Sequence, residues 1–107
     1  MSQGCARPLG MLALCGLAVL AGCGGAKGRF TSHMQRGEQY LENGVLDKAS
    51  VELRNALQID PGDAQARYLY GVVAERRGDL REALGSYQAA IESNPDYSRA
   101  RAALARL

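Results

Sequence analysis

Residues 37–61 read GEQYLENGVLDKASVELRNALQIDP, and residues 71–95, 34 positions further along, read GVVAERRGDLREALGSYQAAIESNP. Six of the 25 aligned positions are identical, which is more than the composition of the chain should produce by chance. The identical pairs are Gly37 and Gly71, Gly44 and Gly78, Leu46 and Leu80, Ala49 and Ala83, Ala56 and Ala90, and Pro61 and Pro95. A repeat of this length is typical of helical hairpins that stack on one another.

The composition agrees with an all-α class. Apolar residues make up 47% of the chain, much of it Ala and Leu, while Trp is absent and Phe30 is the only Phe. Such a composition favours helices over sheets. The formal net charge is +2 with both signs interspersed, so we find no concentrated positive surface that would neutralise a phosphate backbone. We therefore expect no nucleic-acid partner.

Start and stop signals divide the repeats into helices at about 32–43, 47–59, 64–77, 80–93 and 98–107. Gly44 and Gly78 are expected to end the first helix of each pair as left-handed caps, and a proline follows each second helix. The start signals are Ser32-x-x-Gln35 and Asp79-x-x-Glu82, which resemble capping boxes, and Asp63 at an N-cap position, whereas Val45 lacks the cap that Asp79 provides.

Small residues at fixed positions predict close packing of the paired helices. Gly37 and Gly71 have no Cβ at the position where the paired helices cross. The four repeated alanines are small enough for the second helix to pack closely against its neighbours. The core is expected to consist of Leu41, Leu46, Leu53, Leu57, Leu69, Val73, Leu80, Leu84, Tyr87 and Ile91.

The spacing resembles the tetratricopeptide repeat pattern, Trp-x2-Leu-Gly-x2-Tyr followed by Ala, Phe, Ala and Pro at fixed later positions. The first repeat has His33, Arg36, Gly37, Tyr40, Ala49, Leu53, Ala56 and Pro61 there, the second has Arg67, Tyr70, Gly71, Ala74, Ala83, Tyr87, Ala90 and Pro95, and a third unit begins with Arg101, Leu104 and Ala105. The resemblance implies a domain of residues 30–107 with repeats at 30–63 and 64–97 and a partial third at 98–107. These all-α helix-turn-helix repeats would form a short right-handed solenoid. His33 and Arg36 replace the usual Trp and Leu, which suits the polar outer face of a terminal repeat.

The N-terminal segment has the character of a targeting signal. Residues 11–21 form one apolar run, which is shorter than the ~20 residues that span a bilayer but has the length of a signal-peptide core. The run ends in Leu20-Ala21-Gly22-Cys23, which resembles the lipobox of bacterial lipoproteins. The resemblance implies a signal peptide at residues 1–22, diacylglycerol and an N-acyl chain on Cys23, and a flexible glycine-rich tether at 23–29. Cys5 and Cys15 precede the cleavage point and are expected to have no role.

The residue after the lipidated cysteine also indicates which of the two bacterial membranes the protein is expected to reach. An Asp at that position retains many such lipoproteins in the inner membrane, and this chain has Gly24. The resemblance therefore favours the periplasmic face of the outer membrane, with membrane attachment through the lipid alone.

The sequence does not contain a set of residues that would support catalysis. The single His33 has no Cys, Asp or Ser that the helical pattern places beside it, and no Cys-x-x-Cys spacing or Cys/His cluster suggests a metal site. We expect neither an enzyme nor a metal, and no cofactor other than the covalent lipid on Cys23.

Tetratricopeptide arrays bind peptides or helices on the concave face formed by the first helix of each hairpin. In this register the resemblance assigns Met34, Glu38, Leu41, Gln65, Tyr68, Val72 and Glu75 to that face. Met and Tyr suit adaptable, partly apolar recognition. An alternative for Met34 and Tyr68 is that they are only contacts within the hairpins.

Residues 51–61, VELRNALQIDP, following a lipobox, resemble the opening repeat of envelope tetratricopeptide lipoproteins. Some of these accompany exosortase/PEP-CTERM exopolysaccharide systems, and others help to assemble the type IV pilus secretin. The resemblance implies a lipid-anchored adaptor or scaffold in the bacterial envelope whose partners are other envelope proteins or peptides. Two alternatives remain: a truncated N-terminal fragment of a longer array without independent binding function, and a glycan-binding accessory, which five tyrosines without a Trp disfavour.

Overall fold

The computed structural model describes residues 25–107, which form five α-helices and no strand. The helices are α1 (Gly25–Glu42), α2 (Leu46–Ile59), α3 (Ala64–Arg76), α4 (Leu80–Ser93) and α5 (Ser98–Arg106). Helix α1 packs on α2 and α3 packs on α4 as two hairpins, the hairpins stack through α2 and α3, and α5 packs on α4. This confirms the all-α class with two helix-turn-helix repeats and one further helix. The predicted signal peptide and Cys23 lie outside the described residues.

The same turn ends the first helix of each hairpin. Gly44 and Gly78 have φ angles of 74° and 85°. The Val45 N–H donates to the Tyr40 carbonyl at 2.8 Å, and the Asp79 N–H donates to the Ala74 carbonyl at 2.9 Å. A side chain with a Cβ is strained at such φ angles, so glycine is the residue that these turns require. The predicted left-handed caps are confirmed.

The helix starts also follow the prediction from α2 onward. The Asp63 carboxylate accepts from the Ala66 N–H at 2.8 Å at the start of α3, and the Asp79 carboxylate accepts from the Glu82 N–H at 3.2 Å at the start of α4. Val45 precedes α2 without a side-chain cap. The first turn of α2 therefore lacks a hydrogen bond that the first turn of α4 has.

The start of α1 differs from the prediction. The helix begins at Gly25 rather than Ser32, so the flexible tether predicted for residues 23–29 was wrong for the part from Gly25 onward. The Thr31 hydroxyl donates to the Lys27 carbonyl at 3.0 Å within this additional part. Once the packed part of a helix exists, each added residue gains one backbone hydrogen bond, and no proline interrupts residues 25–31. These added hydrogen bonds outweigh the cost of about 1 kcal/mol that each glycine imposes on a helix.

Two adjoining apolar clusters form the core, one among α1, α2 and α3 and the other among α3, α4 and α5. The predicted core residues Leu41, Leu53, Leu69, Val73 and Tyr87 are buried, as are the four repeated alanines. Leu46 and Leu57 are half-buried against the first cluster, and Ile91 is also half-buried. None of the described helices is both long and apolar enough to cross a membrane.

Two predicted core residues lie at the surface instead. Leu80 is 57% exposed and Leu84 is 40% exposed. Their counterparts one repeat earlier are Leu46, which packs on the core, and Ser50, which is buried. Helix α3 continues to Arg76, whereas α5 ends at Arg106, which corresponds to Val72 in the repeat register. Among residues 25–107, the last turn of α3, which covers α2, therefore has no equivalent over the start of α4.

Candidate protein-binding surface

Close contacts inside each hairpin hold α1 against α2 and α3 against α4. A Cβ on Gly71 would lie 2.6 Å from Cε1 of Tyr87, and a Cβ on Gly37 would lie 2.9 Å from Cδ2 of Leu53. Both distances are shorter than two carbon atoms tolerate, so a Cβ at either position would force the neighbouring side chain or helix to shift. The second helix of each hairpin thus packs against one side of the first helix. It does not cover the opposite side of the first helices.

A shallow groove of about 190 Å³ lies between these first helices. Its lining residues are Glu38, Leu41, Glu42, Gln65, Leu69, Arg76 and Arg99. The Gln65 amide donates to the Glu38 carboxylate at 3.3 Å and so connects α3 to α1. We refer to this feature, together with the adjoining Tyr68, as the groove.

Two residues predicted for the concave face are not accessible. Met34 is 6% exposed and Leu41 is 7% exposed, because both pack into the apolar cluster of α1, α2 and α3. The prediction was wrong for Met34, for which the alternative of a hairpin contact holds. Leu41 lies at the bottom of the groove, where a partner could touch its side chain but could not surround it.

The walls of the groove carry both signs of charge. Glu38 and Glu42 lie on α1, while Arg76 lies at the end of α3 and Arg99 at the start of α5. None of these four residues belongs to an ion pair within the part of the chain that the structure describes. Arg76 uses one N–H to donate to the Leu41 carbonyl at 3.2 Å. These side chains therefore retain most of their capacity to bind charged groups of a partner.

Sequence reasoning missed the contribution of α5 to this surface. Arg99 follows Gln65 by one repeat length of 34 residues, so continuing the register into the third unit would have identified it. Glu42 and Arg76 lie in the last turns of their helices, outside the positions that the repeat pattern emphasises. Only the stacking of α1 beside α3 brings these two residues together.

Tyr68 borders the groove at its α5 side and contacts two other tyrosines, of which Tyr87 is fully buried and Tyr97 is half-buried. The ring centroid of Tyr68 lies 5.8 Å from that of Tyr87 and 5.7 Å from that of Tyr97. The Arg99 guanidinium lies 5.4 Å from the Tyr68 ring. Half-buried Tyr68 thus presents a ring that its neighbours hold in place, which lowers the entropic cost of using it for recognition. Val72, also predicted for this face, is half-buried against both apolar clusters.

Glu75 has internal partners. The Tyr87 hydroxyl donates to the Glu75 carboxylate at 2.7 Å, and Arg106 donates to the same carboxylate at 3.4 Å. Burial raises the pKa of Tyr87 above its ordinary value, and the hydrogen bond to Glu75 raises it further, so the hydroxyl remains a donor. Glu75 therefore ties α3 to α4 and α5, which leaves it less available to a partner than Glu38.

The opposite end of the stack is polar. The Glu52 carboxylate lies 2.8 Å from Nδ1 of His33 and accepts from Nε of Arg36 at 2.8 Å. This cluster occupies the outer side of the first hairpin, where the sequence predicted a polar face. Within residues 25–107 no three His, Cys, Asp or Glu side chains are grouped so that they could hold a metal ion.

Repeat length, glycine contacts and hairpin stacking define a helical-repeat protein. The profile of the tetratricopeptide repeat family matches residues 40–107, and the chain belongs to this family. Proteins of this family are in general interaction modules rather than catalysts.

The chain is also similar to the type IV pilus assembly protein PilF of Pseudomonas aeruginosa. The two sequences are 34% identical over 68 residues, which cover 64% of this chain and 27% of PilF. The chain thus matches about a quarter of the length of this relative.

Proposed function

We propose that this protein is a lipid-anchored adaptor of the bacterial envelope that holds a segment of another envelope protein in the groove. The observation that carries the proposal is the groove itself, with charged side chains of both signs on α1, α3 and α5 and the Tyr68 ring held beside them by its neighbours. Family membership supports a role in protein–protein interaction.

The dimensions of the groove favour a polypeptide ligand over a small molecule. Sites for small molecules usually enclose ~300–1,000 Å³, whereas the groove measures about 190 Å³ and is open along the helices. A surface between side-by-side helices suits an extended or helical segment whose side chains meet separate positions along it. Oppositely charged walls add specificity because a segment with the wrong charge pattern would place like charges together.

The similarity to a pilus assembly protein favours pilus assembly as the pathway, with export and exopolysaccharide assembly as the other envelope systems that use such scaffolds. The partner would then be another component of that machinery. The alternative of a fragment without independent binding function predicts no selective partner.

The proposed anchor rests on the resemblance of Leu20-Ala21-Gly22-Cys23 to a lipobox. Two or more acyl chains on Cys23 give a stable membrane anchor, whereas one gives only marginal binding. Intact-mass spectrometry of protein extracted from bacterial membranes should show a chain that begins at Cys23 and carries acyl groups, absent from Cys23→Ser. An unmodified chain beginning at Met1 would remove the anchor from the proposal.

Site-specific photo-crosslinking in cells tests the binding role. A benzoylphenylalanine at Gln65, which is exposed in the groove, should give an adduct with an envelope protein. The matched control is the same residue at Gln58, which is exposed on α2 away from the groove. Glu38→Lys should reduce the Gln65 adduct by reversing one wall charge. Equal adducts from both positions, or none from Gln65, would contradict binding in the groove.

A further inference from the structure

A cavity of about 470 Å³ lies where α2, α3 and α4 meet, and none of its lining residues lines the groove. Sites for small molecules usually enclose ~300–1,000 Å³, so this cavity has room for a small ligand. Its polar lining residues are Arg54 and Gln58 from α2, Arg67 and Tyr70 from α3, and Glu82 and Ser86 from α4. We call this feature the arginine cavity.

Two guanidinium groups supply positive charge to the arginine cavity. Neither Arg54 nor Arg67 is ion-paired with a carboxylate among the residues that the structure describes. Nε of Arg67 donates to the Pro61 carbonyl at 2.9 Å, a bond that orients the guanidinium without using its terminal N–H groups. The Tyr70 hydroxyl beside Arg54 raises the pKa of that guanidinium above its ordinary value, so Arg54 keeps its charge. Guanidinium groups bind phosphate oxygens through paired N–H donors, so the two arginines favour an oxyanion.

The other polar groups of the cavity suit an ester of phosphate. The Tyr70 and Ser86 hydroxyls and the Gln58 amide can donate hydrogen bonds to phosphate oxygens. Glu82 would repel a phosphate placed against it, but its carboxylate can accept from a hydroxyl or ammonium group. A phosphate whose esterified alcohol carries such a donor therefore matches both signs of charge in the cavity better than phosphate alone.

Gly85 leaves space in the wall that α4 contributes to the cavity. A Cβ at Gly85 would meet nothing within 4 Å, and the φ angle of this residue is not positive. Neither packing nor backbone conformation therefore requires a glycine here, although a glycine inside a helix costs about 1 kcal/mol relative to alanine. Because Gly85 lines the arginine cavity, its missing side chain provides room for a ligand.

We propose that the arginine cavity binds a phosphate ester, with the phosphate against Arg54 and Arg67 and a hydroxyl or ammonium group of the alcohol part at Glu82. Soluble metabolites and phospholipid headgroups both contain this chemistry. Arg54 and Glu82 are exposed and remain hydrated, so binding is weak and reversible. The site depends neither on the groove nor on the lipid anchor.

Nuclear magnetic resonance of the isotope-labelled full chain in neutral detergent tests the proposal. Glycerol phosphate should shift the amide signals around the arginine cavity in a saturable manner, whereas glycerol should not. Arg67→Gln should raise the dissociation constant about tenfold, because it removes charged hydrogen bonds to the phosphate. The matched control is Arg101→Gln on α5, which removes the same charge from an exposed residue outside the cavity and should leave the constant unchanged.

Gly85→Leu distinguishes a cavity from a charged surface, because it fills open space and leaves both arginines in place. Measurable binding should then be lost, while circular dichroism shows that the helices are retained. Arg54→Gln, at an exposed residue, gives a second charge variant in case Arg67→Gln unfolds the chain. Binding that survives Gly85→Leu, equal weakening by Arg67→Gln and Arg101→Gln, or the absence of saturable shifts overturns the proposal.

Phosphatidylglycerol added to the detergent micelles distinguishes the two sources of the ester. Displacement of glycerol phosphate by the lipid, weakened in Arg54→Gln, assigns the cavity to a lipid headgroup. Glycerol phosphate that stays bound assigns it to a soluble ester. Both results support a site for a phosphate ester.

Discussion

At the scale of single residues, the two hairpins depend on glycines that meet a large side chain. Gly71 lies against the Tyr87 ring and Gly37 against the Leu53 side chain. The Tyr87 ring is fully buried and its hydroxyl is fixed by Glu75, so it has little freedom to move aside. The Leu53 contact involves the end of a more flexible side chain. The second hairpin should therefore tolerate an added methyl group less well than the first.

Gly71→Ala should lower the free energy of unfolding by about 1–3 kcal/mol, because overpacking forces the helices apart or the ring out of its rotamer. Gly85→Ala is the matched control: Gly85 lies inside α4, and a Cβ there meets nothing within 4 Å. This change should raise the free energy of unfolding by about 1 kcal/mol through helix propensity. Urea denaturation followed by circular dichroism measures both, and equal effects of the two substitutions would contradict the packing argument.

The repeat predicts close helix packing at Gly37 and Gly71, because the two glycines recur one repeat length apart. It does not tell, for every apolar residue, whether the side chain lies in the core or in the groove. Met34 was expected on the open side of α1 and is buried instead. A methionine one turn from charged residues fits either location, and the side that α3 covers is decided by stacking rather than by periodicity. Glu38 and Gln65 were predicted for the surface, and both line the groove.

At the scale of helices, α2 and α4 begin with the same backbone but different side chains. Val45 has φ −88° and ψ 76°, and Asp79 has φ −88° and ψ 78°. Only Asp79 supplies an acceptor to the first turn that follows. The sequence predicted this difference, since capping is a local property of a few adjacent residues. The start of α1 was not predicted, because local glycine content indicated a tether while the helix extends outward from its packed part.

Val45→Asp should stabilise the protein by about 0.5–1 kcal/mol, because the backbone already has the geometry in which Asp79 caps α4. Val45 is 39% exposed and does not pack against either apolar cluster, so the substitution leaves the core unchanged. Thermal denaturation at neutral pH should show a higher Tm. Repeating it at a pH low enough to protonate the carboxyl group should remove most of the gain, and Val45→Ala should not reproduce it at either pH.

At the scale of the whole molecule, neighbours are distributed unevenly along the stack. Helix α3 packs against helices of both hairpins, whereas α5 packs mainly on α4. Ala100 and Ala103 are buried and pack α5 onto the stack, but this helix has only nine residues. The sequence predicted the number and order of helices, since the repeat sets them. It did not predict the exposure of Leu80 and Leu84, because that depends on how far α5 extends over α4.

Amide hydrogen exchange should therefore be slowest in α3 and fastest, among the helical segments of the packed stack, in α5. The physical reason is that α5 can separate from α4 without opening the cluster around Leu53 and Val73. The measurement is made at low protein concentration, so that contacts between copies do not protect α5. Equal protection of α3 and α5 would indicate that the stack opens only as one unit.

The early start of α1 has a consequence for encounters between the groove and a partner. Residues 25–31 advance ~1.5 Å each as a helix, about 10 Å in one direction, whereas the same seven residues as an extended coil could span up to ~24 Å in any direction. If the chain is attached at Cys23, the shorter helical arm keeps the groove nearer to its support than an extended coil would. A partner fixed to the same support is then met at a high effective concentration, and modest intrinsic affinity suffices for occupancy.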